Sequence, residues 1–358
     1  MSEALGVGIV GCGNIAGAYA EDIARQPHLR LVGVTDLDRA RAEAFAQRHG
    51  VSAVDHLEAL LATPDVDVVA NLTAHRAHVP VTRAALEAGK HVFSEKPMAM
   101  TAAEARALVD LAEDRGVRLG AAPIVVMGEL VQTARRWIDD GRLGEVRLAF
   151  ADVNWGRIET WHPDPAGFYE VGPLYDVGIY PITLLTGLFG PVTRVIADAH
   201  HLLRERRTTD GRAFEAVAPD YVVASLEHAS GPVTRLTVDF YVPDPARQRG
   251  VEIHGDAGSI WLSTWFQFGG TFEHAPYGEP YRPAPLLREP DVTMPWAAGL
   301  EELAASVIGG RRPRTDAAHA AHVIDVIETI LRAGEAGRSL EVTSTFEPPE
   351  PMDWAAEL

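Results

Sequence analysis

The 358-residue sequence predicts two domains of different fold class: a doubly wound parallel α/β sheet, then an α+β domain with a large, mostly antiparallel sheet and flanking helices. Three observations lead there. The chain exceeds the roughly 250–300 residues at which a single hydrophobic core stops growing. Its first part alternates continuous apolar runs with helical patterns, which is the succession of a parallel sheet. From Val146 onward several apolar runs alternate with polar residues, the period of strands with one covered face.

In the first domain the strands read as Val7–Val10, Leu31–Thr35, Val66–Leu72, His91–Ser94 and Val117–Ala121. They are rich in Val and Leu and lack alternation, as strands buried on both faces do. Ile15–Arg25, Arg39–His49, Val79–Ala88 and Ala102–Arg115 carry apolar residues at helical spacing. Thr101-Ala-Ala-Glu104 is a capping box, and Gly89 and Gly116 stand where C-terminal caps belong. The division falls at 1–122 and 123–358.

In the second domain Val131–Asp140 reads as a helix and Val146–Trp155 as a long strand. A loop rich in Pro, Asp and aromatics, Trp161–Gly172, precedes a helix from Pro173 to Phe189. Val192–Asp198, Tyr221–His228, Val233–Tyr241, Val251–His254 and Ser259–Leu262 follow as strands, and 316–333 as a closing helix. The tail Glu347–Met352, acidic and proline-rich, is expected to be loosely held.

The formal net charge of −18 argues against nucleic acid, whose binding needs a basic face, and against anionic membranes. No apolar run approaches the roughly 20 residues of a membrane span. The first strand begins almost at once, with no basic stretch, apolar segment and cleavage site before it, so the expected location is the cytoplasm. Cys12 is the single cysteine, which excludes an intrachain disulfide and a cysteine-based zinc site. His319 with His322, and His200 with His201, lack further ligands nearby, so no metal is expected.

Gly11-Cys12-Gly13-Asn14-Ile15-Ala16-Gly17 is a G-x-G-x-x-G run between a strand and a helix, the Rossmann fingerprint of a dinucleotide site. Gly11 permits the tight turn, Gly13 lets the backbone reach a pyrophosphate, and Gly17 is expected to allow close helix–strand packing. Asp36 closes the second strand, where a carboxylate bonds the ribose 2′-hydroxyl and repels a 2′-phosphate. NAD is therefore expected over NADP, with Arg39 and Arg41 the residues that keep NADP in play.

Of the 32 basic residues only Lys90 and Lys96 are lysines. Arginine stays charged in proteins, whereas a lysine can surrender its proton when its pKa is lowered. Lys96 also lies just past the fifth strand, on the carboxyl edge where such sheets place their chemistry.

Around it, Ala-Gly89-Lys90-His91-Val92 and Glu95-Lys96-Pro97 give A-G-K-H-V-x-x-E-K-P. With the glycine run and Asp176-Val-Gly-Ile-Tyr180, this resembles the Gfo/Idh/MocA oxidoreductases, a family that includes glucose–fructose oxidoreductase, inositol dehydrogenase and many sugar dehydrogenases. The resemblance implies that Lys96 lies near the nicotinamide and the substrate hydroxyl, with Glu95 a cofactor contact and a cis bond before Pro97. It sets Thr73, Ala74, His75 and His78 beside the dinucleotide, although Ala74 and His75 replace the family's Pro and Asn. Asp176 and Tyr180 match the motif whose second member is a proton-transfer candidate. The family's polar, arginine-containing stretch after the last Rossmann strand is here Ala122-Pro-Ile-Val-Val-Met127. Family members pair through the second domain's sheet, so a homodimer or homotetramer is implied.

The residues independently support this chemistry. Asp176 and Tyr180, four apart, share one face of a helix that Pro173 is suited to begin. Oxidising an alcohol needs a base for the hydroxyl proton while hydride leaves for C4 of the nicotinamide. Beside Tyr180, Lys96 would lower the phenol's pKa, and Asp176 would orient the ammonium and the hydroxyl. Two assignments stay open, Tyr180 or Lys96 as proton acceptor. Trp161 and His162 are candidate substrate contacts, by sugar-face stacking and hydrogen bonding. The expected reaction is oxidation of a secondary hydroxyl of a sugar, glycoside or cyclitol, or the reverse. The rivals are a reductase of a non-carbohydrate carbonyl or imine, suggested by the apolar 122–127 stretch, and a non-catalytic dinucleotide sensor.

Overall fold

The computed structural model describes residues 4–243, 245–292 and 294–357, which divide into two units: 1–124 with 294–324, and 125–293 with 325–358. Unit 1 contains β1 (Leu5–Val10), α1 (Ala16–Ile23), β2 (Leu29–Thr35), α2 (Arg39–His49), β3 (Ser52–Ala53), α3 (Leu57–Leu61), β4 (Val68–Asn71), α4 (His75–Glu87), β5 (His91–Ser94), α5 (Ala102–Arg115) and β6 (Leu119–Ala121). The strands form one parallel sheet in the order β3-β2-β1-β4-β5-β6. The order reverses beside β1, which opens a crevice at the carboxyl edge.

Val7, Ile9, Val68 and Ala70 are wholly buried in this sheet, each valine or isoleucine worth roughly 1.5–3 kcal/mol when removed from water. The segment 294–324 joins this core through the helix Ala298–Ile308, whose Leu300 and Leu303 are fully buried in it. The buried Asp22 of α1 anchors that segment by accepting from the Ala297 N–H at 2.7 Å. Thr101 caps α5 through the Glu104 N–H at 3.2 Å, and Gly116 ends it in the left-handed region. α4 begins at His75, four residues before its periodicity suggests, so Pro80 lies inside the helix.

Unit 2 adds α6 (Glu129–Asp139), β7 (Val146–Asn154), α7 (Ala166–Pro173), α8 (Ile179–Phe189), β8 (Val192–His200), β9 (Glu205–Arg207), β10 (Ala213–Glu215), β11 (Tyr221–His228), β12 (Val233–Asp239), β13 (Gly250–Gly255), β14 (Gly258–Leu262), β15 (Phe272–Pro276) and β16 (Arg282–Pro283). Its main sheet runs β16-β15-β14-β13-β7-β12-β11-β8, with the short strand Leu340–Glu341 beyond β8. Among the described residues only the β7–β12 pairing is parallel; β9 and β10 make a separate hairpin. Burial alternates strictly along β11 and through most of β12, so a one-residue slip would turn the buried row outward.

Two expectations are corrected in this unit. The stretch read as the loop Trp161–Gly172 contains α7, which ends where Gly172 adopts φ 77° and ψ 169°. A side chain there would come within 2.7 Å of Ala218 Cβ. The tail is not loose. Arg135 of α6 donates to the Pro349 carbonyl at 2.6 Å, Gln132 accepts from the Met352 N–H at 2.9 Å, and Arg288 lies over the Trp354 ring at 3.8 Å. Among the described residues no helix is long and apolar enough to cross a membrane.

Candidate active site

The glycine-rich turn joins β1 to α1 at the carboxyl edge of unit 1. Gly11 has φ 95°, and a Cβ on it would stand 2.8 Å from the Leu72 carbonyl oxygen, so only glycine fits without strain. Gly13 and Asn14 are exposed and a Cβ on Gly13 would meet nothing. No side chain caps α1 at Ile15, so its first N–H groups suit an anion. These features fit a dinucleotide pyrophosphate. Gly17 does not have its expected packing role: a Cβ there would meet nothing within 4 Å.

Asp36 follows β2 with a side chain only 9% exposed. One carboxylate oxygen accepts from the Cys12 N–H at 2.8 Å, the other from the Asp38 N–H at 2.8 Å. The acid thereby fixes the shape of the turn. Cys12 is buried, and that burial, aided by the Asp36 charge, pushes its thiol up to about 11. It stays protonated and is a small filler, not a nucleophile.

At the ends of β4 and β5 the segments are laced together. Asn71, fully buried, donates to the His78 carbonyl and to Thr82 Oγ1, both at 3.0 Å, and accepts from Thr73 Oγ1 at 2.7 Å. His78 is 1% exposed, its Nδ1 2.7 Å from the Pro97 carbonyl and its Nε2 2.9 Å from the Thr73 carbonyl. Its ring therefore braces two loops. Ala74 is exposed and His75 half-buried. The bond before Pro97 is cis.

Glu95 is held at both oxygens, by the Tyr19 hydroxyl at 2.7 Å and the Lys96 N–H at 3.0 Å. Tyr19 escapes sequence reasoning; its signal is a lone aromatic in a helix otherwise built of small and acidic residues around one isoleucine. Lys96 is half-buried. Lys90, the other lysine, donates to the Val66 carbonyl at 2.7 Å and is structural.

In unit 2, residues Leu174–Gly178 form a π-helical turn directly before α8. Such turns recur at functional sites. Between 172 and 187 only Asp176 and Tyr180 are not buried, so the two do project to the same partly open side. Tyr180 packs against Trp265 and Phe266, with ring centroids at 5.7 and 6.3 Å. Trp161 is 53% exposed and clusters with His162 (5.6 Å) and Phe168 (6.2 Å). His162 Nδ1 accepts from the Asp164 N–H at 3.1 Å. Nearby, Arg206 is fully buried, bonded to Asp220 and to Glu159 at 2.7 Å and lying 4.2 Å from the Tyr169 ring centre. Burial raises the Tyr169 phenol, and this knot is structural.

Comparison with known proteins agrees with the geometry. Residues 5–122 match the oxidoreductase family with an NAD-binding Rossmann fold, GFO/IDH/MocA, and residues 131–261 match the GFO/IDH/MocA C-terminal domain. The dTDP-3,4-didehydro-2,6-dideoxy-alpha-D-glucose 3-reductase of Streptomyces violaceoruber is 34% identical over 197 residues, 54% of this chain and 57% of that enzyme. The chain thus aligns with little more than half of that relative's length. The trans-1,2-dihydrobenzene-1,2-diol dehydrogenase of Mus musculus is 29% identical over 283 residues, 76% of this chain and 80% of that one. The aldose-aldose oxidoreductase from Caulobacter crescentus, solved with glycerol, superposes with a TM-score of 0.82 at 24% identity, over 95% of this chain and 100% of that one. It shares the fold.

Proposed function

The chain belongs to the GFO/IDH/MocA oxidoreductases, and from that premise we propose that it oxidises a secondary hydroxyl of a sugar-like ring with NAD, or runs the reverse ketone reduction. One observation carries the reading. Glu95, at the carboxyl end of β5 and on the same sheet edge as the glycine turn, is held by the hydroxyl of Tyr19 from the helix that follows that turn, and accepts from the N–H of the adjacent Lys96. The bound nicotinamide would supply the hydride acceptor.

Unit 1 contributes Gly11, Gly13 and the α1 N-terminus to the pyrophosphate, Asp36 to the adenosine ribose, and Lys96 to the substrate oxygen. Asp36 favours NAD, and the two arginines near it are already engaged. Arg39 pairs with Glu43 and Asp55, Arg41 with Asp36 and Asp38. Unit 2 contributes Tyr180 as the group that takes the hydroxyl proton and Asp176 to orient that hydroxyl. Lys96 as acceptor is the alternative. In the apolar 122–127 stretch Val125, Val126 and Met127 are buried and Ile124 is half-buried; a reductase of a non-carbohydrate carbonyl or imine is the rival reading.

A second copy of the chain is the partner assigned to the outer sheet face. There Phe150, Arg235, Ser225 and Ile196 lie side by side across β7, β12, β11 and β8, with Ile196 53% exposed. Light scattering checks this, and a monomer at micromolar concentration would remove it.

The deciding assay is absorbance at 340 nm with NAD⁺, then NADP⁺, against monosaccharides, disaccharides, inositols and cyclic diols. Reduction of NAD⁺ by a ring alcohol supports the reading. Silence across the panel despite NADH binding would overturn it in favour of a carbonyl or imine reductase or a sensor, which NADH oxidation with ketones and imines would separate.

A further inference from the structure

Tyr180 stands at one end of an aromatic cluster drawn from three separate stretches of unit 2. Trp265 and Phe266 lie at its centre, with ring centroids 4.7 Å apart. Tyr180 flanks them on one side, and Trp155 on another, at 5.6 Å from Trp265 and 5.9 Å from Phe266. Trp265 is buried, but Trp155, Phe266 and Tyr180 are only half-buried. A folded protein has every reason to cover large aromatic rings, yet Trp155 and Phe266 remain partly open beside Tyr180, the residue assigned to proton transfer.

The cluster is held rigid by backbone bonds that do not involve the rings. The loop between β14 and β15 is pinned at its base by the Ser263 N–H to the Thr271 carbonyl (3.0 Å) and the Thr271 N–H to Ser263 Oγ (2.8 Å). Thr264 Oγ1 accepts from the N–H groups of Phe266 and Gln267 at 3.3 and 3.4 Å. The Phe268 carbonyl accepts from the Leu130 N–H at 2.9 Å. Gly128 sits where a Cβ would meet Phe268 at 2.9 Å, which fixes how closely the loop approaches α6. Trp155 is placed by its own N–H, bonded to the Asp239 carbonyl at 3.2 Å. A wall so fixed needs no reordering when a ligand arrives, and preorganisation of that kind favours binding.

We propose that Trp155, Trp265 and Phe266 form with Tyr180 a ring-binding wall that selects a cyclic secondary alcohol with one hydroxyl-free face, a deoxy or unsaturated ring, over a fully hydroxylated one. This rests on the function proposed above. The indoles and the phenyl offer no hydrogen-bond acceptor beyond their π faces. A hydroxyl turned onto their ring faces gives up water for no more than a weak contact with the π face, at about tenfold in affinity for each. A bare C–H or π face meets the rings at no such loss, and stacks on them.

The probes are cis-cyclohexane-1,2-diol, whose two hydroxyls share one face and leave the other bare, and myo-inositol, a six-membered ring with six hydroxyls. Two readouts are taken on the full chain. The first is calorimetric binding of each ring with NADH present, which requires no turnover. The second is kcat and KM with NAD⁺. The wall predicts that the diol binds at least about tenfold more tightly. Trp155→Leu and Phe266→Leu should each shrink that preference severalfold, through KM and not kcat, leaving the pH profile in place. Phe266→Tyr, which keeps a ring, should retain most of it and guards against a folding defect. Equal or reversed binding of the two rings overturns the wall. So does a preference that survives both leucine variants. If the diol binds preferentially but is not oxidised, the wall stands and the proposed reaction fails.

Discussion

The glycine turn of unit 1 and the aromatic wall of unit 2 are built from opposite materials. The first is backbone: Gly11 at φ 95°, an exposed Gly13 and the uncapped start of α1, all within seven consecutive residues. The second is side chain: Trp155, Tyr180, Trp265 and Phe266, gathered by β7, α8 and the loop after β14. A backbone site needs particular residues only where conformation demands them, so its local spacing identifies it. A side-chain site is defined by distances that no local spacing encodes. The first would suit a ligand common to many enzymes, and the second is free to vary with the substrate.

The largest effect available to challenge that division comes from one residue in each unit. Lys96→Met and Tyr180→Phe should each lower kcat by about 10²–10⁴-fold, read from NAD⁺ reduction at 340 nm across pH. The variant that loses the pH-dependent limb marks the proton acceptor. Unchanged turnover in either would take that residue out of the chemistry.

Next is acid stability, where the units should differ. His228 in β11 is buried between the Gly190 carbonyl (3.2 Å) and Thr234 Oγ1 (2.9 Å), and burial lowers its pKa to about 4. Below pH 6.5 the unfolded chain takes up a proton that the folded chain refuses. Stability is therefore full above that pH and lost as pH falls toward 4, by about 3 kcal/mol. Urea titrations at pH 7.5 and 4.5 should show a smaller acid loss in His228→Gln than in the unmutated protein. Equal losses would dismiss His228 as the cause.

A smaller effect concerns Asp36, the side chain assigned to the ribose in the backbone-built site. Asp36→Ser should raise the ratio of NADP⁺ to NAD⁺ use by roughly 10- to 100-fold, measured as kcat/KM for each cofactor. A ratio that does not move would make the arginines, not the acid, the arbiters of preference. Smallest of all is Gly17→Ala. With open space around it, alanine should leave NADH affinity intact and add up to about 1 kcal/mol of stability. A loss of affinity there would restore a role for the third glycine.

Where the sequence was legible, a local device explains it. α2 and α5 have the predicted bounds because Asp38 and Thr101 cap their starts and Gly50 and Gly116 end them. α4 defied its periodicity because Ala74 offers no capping side chain and Pro80 sits inside the helix. The tail was misread because composition reports solubility, not partners; its carbonyls and N–H groups are taken up by Arg135 and Gln132 far away in sequence. In the candidate site Lys96 stood out through a scarcity of lysine that has nothing to do with folding. Tyr19 and the three aromatics beside Tyr180 did not, since their meaning lies in contacts and not in spacing.

The bond from the Cys12 N–H to Asp36 has an evolutionary consequence. One carboxylate holds the turn and is the group assigned to the ribose, so on that assignment the two traits are inherited together. A lineage drifting toward a phosphorylated cofactor would first pass through a variant with a slackened turn and weaker grip on either dinucleotide. A change of cofactor preference at Asp36 therefore also changes the turn that Cys12 belongs to.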